Sequence, residues 1–398
     1  MPKERIGIMG GSFNPIHERH IEIAACAKRE YKLSRVIFLP TGNPPHKHEE
    51  LADAEDRFEM TRLAVGGQPD FTASRMEIDR EGIIYTVDTL ARLQKQMPDV
   101  AFDYIIGEDA LMELPNWKKP DKLFSMCRFL VCSRTAAIES NATFVDELKQ
   151  RGARFAFLPL SPVQTSSTAI RRQLESGQTP DELPPQVVEY ILQMGLYGAG
   201  NAMEGTRERY AQLRRALTDK RLTHSLLVAN TARRLAQLHG LDADQAALAG
   251  LLHDCAKCLP LASMQRIARE NRLLLDKETL QSGNLLHGPV GAVVAEKEYG
   301  ITDPNILSAI QCHTTAKVGM LPLDMIVFLA DKIEPSRRSY PALEEVRRLA
   351  QTDLTAAMLH SLESTLEYVK SQNTQPHPTT QKVADWLKRI AATEQKNH

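Results

Sequence analysis

Two glycines and two histidines near the start of the chain form a pattern that suits phosphate binding. Gly10 and Gly11 follow an apolar run, and His17 and His20 follow them three residues apart. Glycine lets the backbone approach a phosphate closely, and a helix that begins here offers unpaired N–H groups and the positive end of its dipole. Histidines at this spacing can donate to phosphate oxygens as charge moves to a leaving pyrophosphate. The alternative is a tight strand-to-helix turn with capping side chains, which the second histidine disfavours.

Histidines and aspartates form a second pattern in the other half of the chain. His253 and Asp254 end one apolar run, and Asp331 ends another. Charged groups placed against a core need a partner, and a metal ion is a common one. Imidazole and carboxylate ligands without thiolate favour iron, manganese or zinc over calcium or a structural zinc–cysteine site. The remaining members of the set, each on a predicted helix or at its end, are His224, His287 and His313.

The elements that must position the first pattern alternate between strands and helices. Strands are predicted at Arg5–Met9, Arg35–Pro40, Phe102–Gly107, Phe129–Ser133 and Arg154–Leu160. Helices are predicted between them at Ile21–Tyr31, Asp53–Val65, Thr86–Gln96 and Phe144–Arg151. This alternation predicts an α/β domain with a parallel sheet and helices on both faces, and such folds bind ligands at the carboxyl ends of the strands.

The second pattern lies in a part of the chain that is predicted to be all-α. A length of 398 residues favours two domains, and the Gly-rich stretch Tyr197–Thr206 reads as the connection between them. We predict a first domain at 1–198, a linker at 199–206, a second domain at 207–372, and a C-terminal helix with a polar tail at 373–398. Helical spacing in the second half is seen at Leu222–His239, Ala243–Asp254, Leu286–Tyr299, Pro304–Cys312, Leu323–Ile333 and Asp353–Lys370.

Composition excludes several classes of partner. The formal net charge of −1 provides no basic excess to hold a nucleic-acid backbone. No apolar run approaches the roughly 18 residues needed to span a membrane. Six cysteines without a secretory start predict reduced thiols in the cytoplasm. The oligomeric state is left open.

The first half resembles the nicotinate-mononucleotide adenylyltransferases of the HxGH nucleotidyltransferase superfamily. The resemblance implies a Rossmann-like domain that transfers AMP from Mg-ATP to nicotinate mononucleotide, giving deamido-NAD and pyrophosphate. Other acceptors, nicotinamide mononucleotide or phosphopantetheine, are kept as alternatives. The matching motifs are the loop GGSFNPIH with its following histidine, Asn43–Lys47 (NPPHK), Tyr85–Leu90 (YTVDTL), Gly107–Ala110 with Trp117, and Ser166–Arg171 (SSTAIR).

The same resemblance implies roles for particular residues. His17, His20 and Arg171 are the catalytic candidates, and Trp117 is expected to stack on the nicotinate ring. Arg19 stands where the family has glycine, so its side chain either points away from the nucleotide or adds a phosphate contact. The implied ATP-binding residues are Gly10, Gly11, Ser12, Phe13, His17, His20, Ser166, Ser167, Thr168 and Arg171. The implied nicotinate-nucleotide residues are Asn43, Lys47, Thr86, Asp109 and Trp117.

The second half resembles the HD phosphohydrolase superfamily, and within it the bacterial symmetrical diadenosine tetraphosphate hydrolases. The resemblance implies cleavage of diadenosine tetraphosphate into two ADP at one or two transition-metal ions, iron being favoured over manganese or zinc. A regulatory module without catalysis is the alternative. The matching stretches are Thr223–Ser225, Gly250–Lys257, Leu286–Gly288, His313–Thr315 and Leu329–Arg337.

Ligand roles in the second half follow from that resemblance alone. One metal ion is held by His224, His253, Asp254 and Asp331, and a second is held with the help of His287 and His313. Asp254 and Lys257 are the catalytic candidates, while Lys257 and Arg337 are candidate phosphate ligands. The predicted partners of the whole chain are ATP, nicotinate mononucleotide and dinucleoside polyphosphates, with no nucleic acid and no membrane.

Overall fold

The computed structural model of the chain describes residues 4–42, 51–132, 142–160, 165–199, 205–372 and 375–394. The chain forms two compact units, Met1–Ala202 and Met203–His398. Asn43 and Lys47, two of the predicted nicotinate-nucleotide residues, lie outside the described residues, as does Ser133 at the end of a predicted strand. The domain and linker limits given above stay a prediction.

Six parallel strands form the sheet of the first unit. Their spatial order is β3-β2-β1-β4-β5-β6, and every neighbouring pair is parallel. The order reverses beside β1, where Met9 is paired with Ile105 of β4, and ligands bind outside the carboxyl ends of strands at such a point. The strands are β1 (Arg5–Gly11), β2 (Arg35–Pro40), β3 (Phe71–Ala73), β4 (Ala101–Gly107), β5 (Cys127–Cys132) and β6 (Phe155–Phe157).

Eight α-helices accompany this sheet in the described part of the first unit, so the predicted parallel α/β fold is confirmed. They are α1 (Glu18–Tyr31), α2 (Ala54–Val65), α3 (Thr86–Gln96), α4 (Glu108–Glu113), α5 (Pro120–Met126), α6 (Ala142–Gln150), α7 (Ser167–Glu175) and α8 (Pro185–Met194).

A glycine is required where β1 and β4 meet at the carboxyl edge of the sheet. A Cβ atom on Gly10 would collide with the hydroxyl group of Tyr104. The ring of Tyr104 is buried in the core of the sheet together with Ile8 and Phe129. Glycine at position 10 therefore lets the loop between β1 and α1, called the phosphate loop below, begin directly beside β4.

Helices make up the second unit, and no strand occurs among its described residues, which confirms the all-α prediction. The last helix, α19, packs against α18 with Val383, Ala384 and Leu387 fully buried. The helices are α9 (Thr206–Ala216), α10 (Asp219–Leu238), α11 (Ala243–Leu252), α12 (Leu261–Glu270), α13 (Lys277–Gln281), α14 (Gly283–Tyr299), α15 (Pro304–Cys312), α16 (Pro322–Ile333), α17 (Pro341–Leu349), α18 (Leu354–Ser371) and α19 (Pro378–Glu394).

Short elements are where the fold differs from the sequence prediction. Strand β3 was not predicted, because three residues are too few to establish an alternating pattern. The strand predicted at Arg154–Leu160 is reduced to the three residues of β6. Within the described residues, no helix is both long and apolar enough to cross a bilayer.

Candidate nucleotide site and candidate metal centre

The two predicted phosphate-binding histidines lie together in the first turn of α1. The backbone N–H of His17 donates to Nδ1 of His20 over 3.3 Å, and the two ring centroids are 3.8 Å apart. Because Nδ1 of His20 accepts this bond, the neutral ring carries its proton on Nε2. A donor of this kind at a helix N-terminus suits the oxygens of a phosphate.

The predicted ATP-binding residues at the start of α7 lie against the same loop. The hydroxyl of Ser166 accepts the backbone N–H of Ala169 and caps the helix. The hydroxyl of Ser167 donates to the carbonyl of Pro15 over 3.0 Å, and the guanidinium of Arg171 donates to the carbonyl of Asn14 over 3.0 Å. Residues about 150 positions apart thus meet at one loop.

The remaining predicted ATP residues lie on these same two elements. Gly10 and Gly11 end β1, while Ser12 and Phe13 continue into the loop. The ring of Phe13 is buried and meets the His20 ring edge-on, with 5.1 Å between centroids. Thr168, by contrast, is exposed on the first turn of α7.

Two of the predicted nicotinate-nucleotide residues meet around Tyr104. The Trp117 ring contacts the Tyr104 ring edge-to-face, with 6.2 Å between centroids. Thr86, the first residue of α3, is a hydrogen-bond partner of the Tyr104 hydroxyl, whose pKa is raised by burial. Asp109 is exposed in the first turn of α4, directly after β4.

Arg19 is engaged on its own helix. Its guanidinium lies 3.0 Å from the carboxylate of Glu22, one turn further along α1, and its side chain is largely buried. The side chain therefore runs along α1 toward Glu22.

Five helices of the second unit carry the six predicted metal ligands to one place. α10, α14 and α16 each contribute one ligand, while two ligands follow the end of α11 and one follows the end of α15. Three of the four histidines and Asp254 are buried. In the order of the chain, the ligands are His224, His253, Asp254, His287, His313 and Asp331.

Asp254 stands at the centre of these ligands. Its Oδ1 lies 3.0 Å from Nε2 of His287 and 3.8 Å from Nε2 of His313, and its Oδ2 lies 3.8 Å from Nε2 of His253. Two groups of ligand atoms are close enough to hold a metal ion: His224, His253 and Asp254, and Asp254, His287 and His313. Since Asp254 belongs to both groups, one carboxylate can serve two ions.

Asp331 completes the first of these groups. Its Oδ1 lies 3.0 Å from Nε2 of His224 and 3.9 Å from Nε2 of His253. Both carboxylates are held ionised: although burial opposes it, the nearby histidines keep the pKa of Asp254 and of Asp331 well below the ordinary range.

All four imidazoles are oriented through their Nδ1 atoms. Each Nδ1 faces an acceptor. At His253 and His313 this contact places the proton of the neutral ring on Nδ1 and leaves the lone pair of Nε2 for a metal ion. The acceptors are the carbonyls of Gly250 (to His253, 2.7 Å), Gly283 (to His287, 3.1 Å) and Ile310 (to His313, 2.7 Å), and the carboxylate of Glu334 (to His224, 3.2 Å).

At two of the four histidines the protonation state also suits a metal ion, whereas at His224, although burial opposes it, the carboxylates of Asp331 and Glu334 raise the pKa. Burial lowers the pKa of His253, and burial together with the neighbouring His253 and His287 lowers the pKa of His313 to about 3. Nε2 of His253 is buried and has no hydrogen-bond partner among the described residues. A buried lone pair of this kind fits a metal ligand, so the residues present fit the metal centre that the sequence predicts.

Three cations surround the ligands. Arg221 donates to Oδ2 of Asp254 over 3.0 Å, and Nζ of Lys257 lies 3.3 Å from both ring nitrogens of His287. Arg337 donates to the carboxylate and to the carbonyl oxygen of Asp331. These side chains are partly exposed, so they reach from the ligands toward solvent.

Comparison with known proteins finds two family models in the chain. One described as cytidylyltransferase-like matches residues 8–173, and one described as HD domain matches residues 221–336. A Mycoplasma genitalium protein named as a probable nicotinate-nucleotide adenylyltransferase/Ap4A hydrolase is 30% identical over 374 residues, which cover 93% of this chain and 99% of the relative. The chain belongs to this two-domain adenylyltransferase/Ap4A hydrolase family.

Each half of this family member also matches shorter proteins. A probable nicotinate-nucleotide adenylyltransferase of Moorella thermoacetica is 40% identical over 198 residues, covering 48% of this chain and 91% of the relative. A solved structure from Clostridium acetobutylicum, titled as a predicted HD superfamily hydrolase involved in NAD metabolism, is 36% identical. It covers 47% of this chain and 99% of that chain, with a TM-score of 0.45.

Two site residues of this family member were missed by the sequence analysis. Arg221 lies one helical turn before His224, and Glu334 lies one turn after Asp331. That spacing from a proposed ligand was the available signal, but exposed charged residues occur at the same spacing on many helices.

The first prediction concerns His17 and His20. We expect that His17→Ala and His20→Ala each lower the turnover number for adenylyl transfer about 10²-fold, because each removes a donor to developing phosphate charge. Pyrophosphate release from Mg-ATP and nicotinate mononucleotide measures it, and circular dichroism checks the fold. Arg19→Gly is the control between them and should keep the wild-type rate. Wild-type turnover in both histidine variants would contradict the assignment.

The second prediction concerns Glu334, which is 1% exposed and orients His224. Glu334→Gln should weaken divalent-metal binding about 10- to 100-fold, because the ring loses the charged acceptor that fixes its Nδ1–H. Equilibrium titration of the full chain with Mn²⁺ measures this affinity. Glu345→Gln makes the same change at an exposed carboxylate of α17 and should leave affinity unchanged. Equal Mn²⁺ affinity in the two variants would show that Glu334 does not orient His224 for metal binding.

Proposed function

We propose that the first unit transfers AMP from Mg-ATP to nicotinate mononucleotide and releases pyrophosphate. The observation that carries the proposal is the meeting of α7 with the phosphate loop, where Arg171 reaches the loop that leads to His17 and His20. The names of the full-length and half-length relatives support the same activity.

The reaction leaves little covalent work to the protein. A phosphate oxygen of the mononucleotide forms a bond to the α-phosphorus of ATP, and the bond to the departing pyrophosphate breaks. The protein contributes alignment of the two phosphates and neutralisation of the charge that moves onto pyrophosphate. His17, His20 and Arg171 are the donors proposed for that charge, with Mg²⁺ bound to ATP.

The nicotinate ring is proposed to bind beside Thr86 and Trp117. An aromatic face and a hydroxyl near the carboxyl end of β4 can stack on a pyridine ring and bond its substituent. Asn43, Lys47 and Asp109 remain proposed ligands of the same nucleotide.

Acceptor identity is tested by incubating the full chain with Mg-ATP and one candidate acceptor at a time: nicotinate mononucleotide, nicotinamide mononucleotide or phosphopantetheine. The proposal expects deamido-NAD and an equal amount of pyrophosphate with nicotinate mononucleotide, and slower release with the amide. A faster reaction with nicotinamide mononucleotide would make the amide the proposed acceptor. Pyrophosphate release with phosphopantetheine, and with neither mononucleotide, would contradict the proposal.

For the second unit, we propose metal-dependent hydrolysis of diadenosine tetraphosphate to two ADP. The observation that carries it is the convergence of four Nε2 atoms on the buried carboxylate of Asp254 and the partly buried carboxylate of Asp331. Two divalent ions, iron being the favoured metal, would be held by the two groups that share Asp254, with Asp331 completing the first. When bound, such ions supply Lewis acidity and activate water.

The chain's own residues supply the rest of this site. Lys257 and Arg337 are proposed to bind phosphate oxygens, and Arg221 joins them, because all three cations lie at the ligands and reach toward solvent. A purely regulatory role for this unit is disfavoured, since all six ligands are present. All six cysteines are free thiols, which agrees with the cytoplasmic location that we propose.

The third prediction concerns Asp254. Asp254→Asn should abolish measurable formation of ADP from diadenosine tetraphosphate and lower the metal content, because it removes the negative oxygen shared by both ligand groups. Adenylyl transfer by the same protein should stay within twofold, since its residues lie in the other unit. Chromatography of the nucleotide products and elemental analysis of the protein measure both effects.

The control for this substitution is Asp244→Asn, which makes the same change at an exposed side chain of α11. It should leave both activities intact. If the wild-type chain binds metal but does not hydrolyse diadenosine tetraphosphate, the result supports a regulatory role for the second unit. If the products are AMP and ATP, the position of cleavage differs from the one proposed.

A further inference from the structure

Among the residues that the structure describes, Arg57 is the largest fully buried side chain, at 1% exposure. It lies in the first turn of α2, in the first unit. Its guanidinium donates to three main-chain carbonyls, those of Ser12 (2.8 Å), Gly42 (3.1 Å) and Ala52 (2.9 Å). Among the described residues, no carboxylate lies within ion-pair distance of this guanidinium.

A buried cation without a carboxylate is unfavourable unless its donors are satisfied. Three carbonyl groups provide that satisfaction here, because the planar guanidinium carries five N–H donors that point in fixed directions. Hydrophobic burial alone would favour Leu or Met at this position. The role of the arginine is therefore to hold together the three main-chain segments to which it donates.

The three carbonyls belong to separate elements around the phosphate loop. Ser12 is in the loop itself, Gly42 follows β2, and Ala52 precedes α2. A Cβ atom on Gly42 would collide with the main chain at Glu77, so the turn after β2 packs closely against that segment. Arg57 thus ties the loop to the turn after β2 and to the residue two positions before α2.

Asn14 extends the same network within the loop. Its Oδ1 accepts the backbone N–H of Ala52 over 3.1 Å and the hydroxyl of Tyr197 over 2.7 Å. Its carbonyl accepts the bond from Arg171. The loop is therefore held at Ser12 from one side and at Asn14 from the other, just before the two histidines.

We propose that Arg57 is a positioning residue for the triphosphate of ATP: it fixes the loop between β1 and α1 in the shape that receives phosphate. Its guanidinium donates to the Ser12 carbonyl, so its positive charge lies beside the loop and favours an anion there. The proposal rests on the ATP site of the proposed adenylyltransferase. It assigns Arg57 no contact with substrate.

Arg57→Lys tests the proposal, since it keeps the charge but replaces the planar guanidinium and its five N–H donors by a single ammonium group. Calorimetric titration of the full chain with Mg-ATP, without acceptor, should show binding weakened about tenfold or more. In the complete reaction, the Michaelis constant for ATP should rise by a similar factor, while that for the mononucleotide changes less than twofold. Arg29→Lys, at an exposed site on α1, is the matched control and should bind ATP as the wild type does.

A purely structural role gives a different result. It would lower the active fraction, and with it the turnover number, while both Michaelis constants and the ATP affinity of the folded protein stay unchanged, and that outcome overturns the proposal. Tyr197→Phe covers the case in which Arg57→Lys does not fold, because it removes only one bond to Asn14 from the same network. It should weaken ATP binding about threefold; unchanged affinity in this variant would also overturn the proposal.

The experiment separates this proposal from the proposed function. If the wild type binds Mg-ATP but transfers no AMP to any mononucleotide, the reaction assignment fails while the effect of Arg57 on ATP binding can still be measured. If the wild type transfers AMP and Arg57→Lys binds ATP normally, the reaction stands and the positioning role is wrong.

Discussion

Buried charge is the constraint on which both units depend. In the second unit, Asp254 is 3% exposed, and a carboxylate so far from water is stable only among groups that stabilise its charge. Histidines and partly exposed cations surround it, and the ends of several helices are brought together to place them. In the first unit, Arg57 is buried among main-chain carbonyls beside the loop proposed to hold ATP. In each case the interaction that offsets the buried charge also positions the proposed site.

Both sites are proposed to act on polyphosphates, yet they use different means. The first offers side-chain donors at the N-terminal ends of α1 and α7, a geometry that suits the charge of a departing pyrophosphate. The second offers imidazole and carboxylate ligands, and three of the four Nδ1 atoms face main-chain carbonyls of the same helical segment. At His253 and His313, local helix geometry thus places the proton on Nδ1 before any metal arrives.

The sequence was sufficient where residue type and order carry the information. The alternation of strands and helices predicted the parallel sheet, and the ordered histidines and aspartates predicted six groups that converge. It was insufficient where burial decides: Arg57 lies in a stretch of five charged and six apolar residues (AEDRFEMTRLAV), so nothing local distinguishes it from a solvated arginine. Glu334 and Arg221 were missed for the same reason. The domain limits, Asn43 and Lys47 stay predictions.

We propose that two metal ions stabilise the shared, buried carboxylate of Asp254 in the second unit. Equilibrium dialysis of the full-length wild-type chain against Fe²⁺ or Mn²⁺ without oxygen, followed by elemental analysis, tests it most directly. The account predicts two ions per chain at saturation, with thermal stability that rises as free metal exceeds the dissociation constant. A chain that binds no ion at saturating metal, or whose stability is the same with metal and with chelator, would contradict the account.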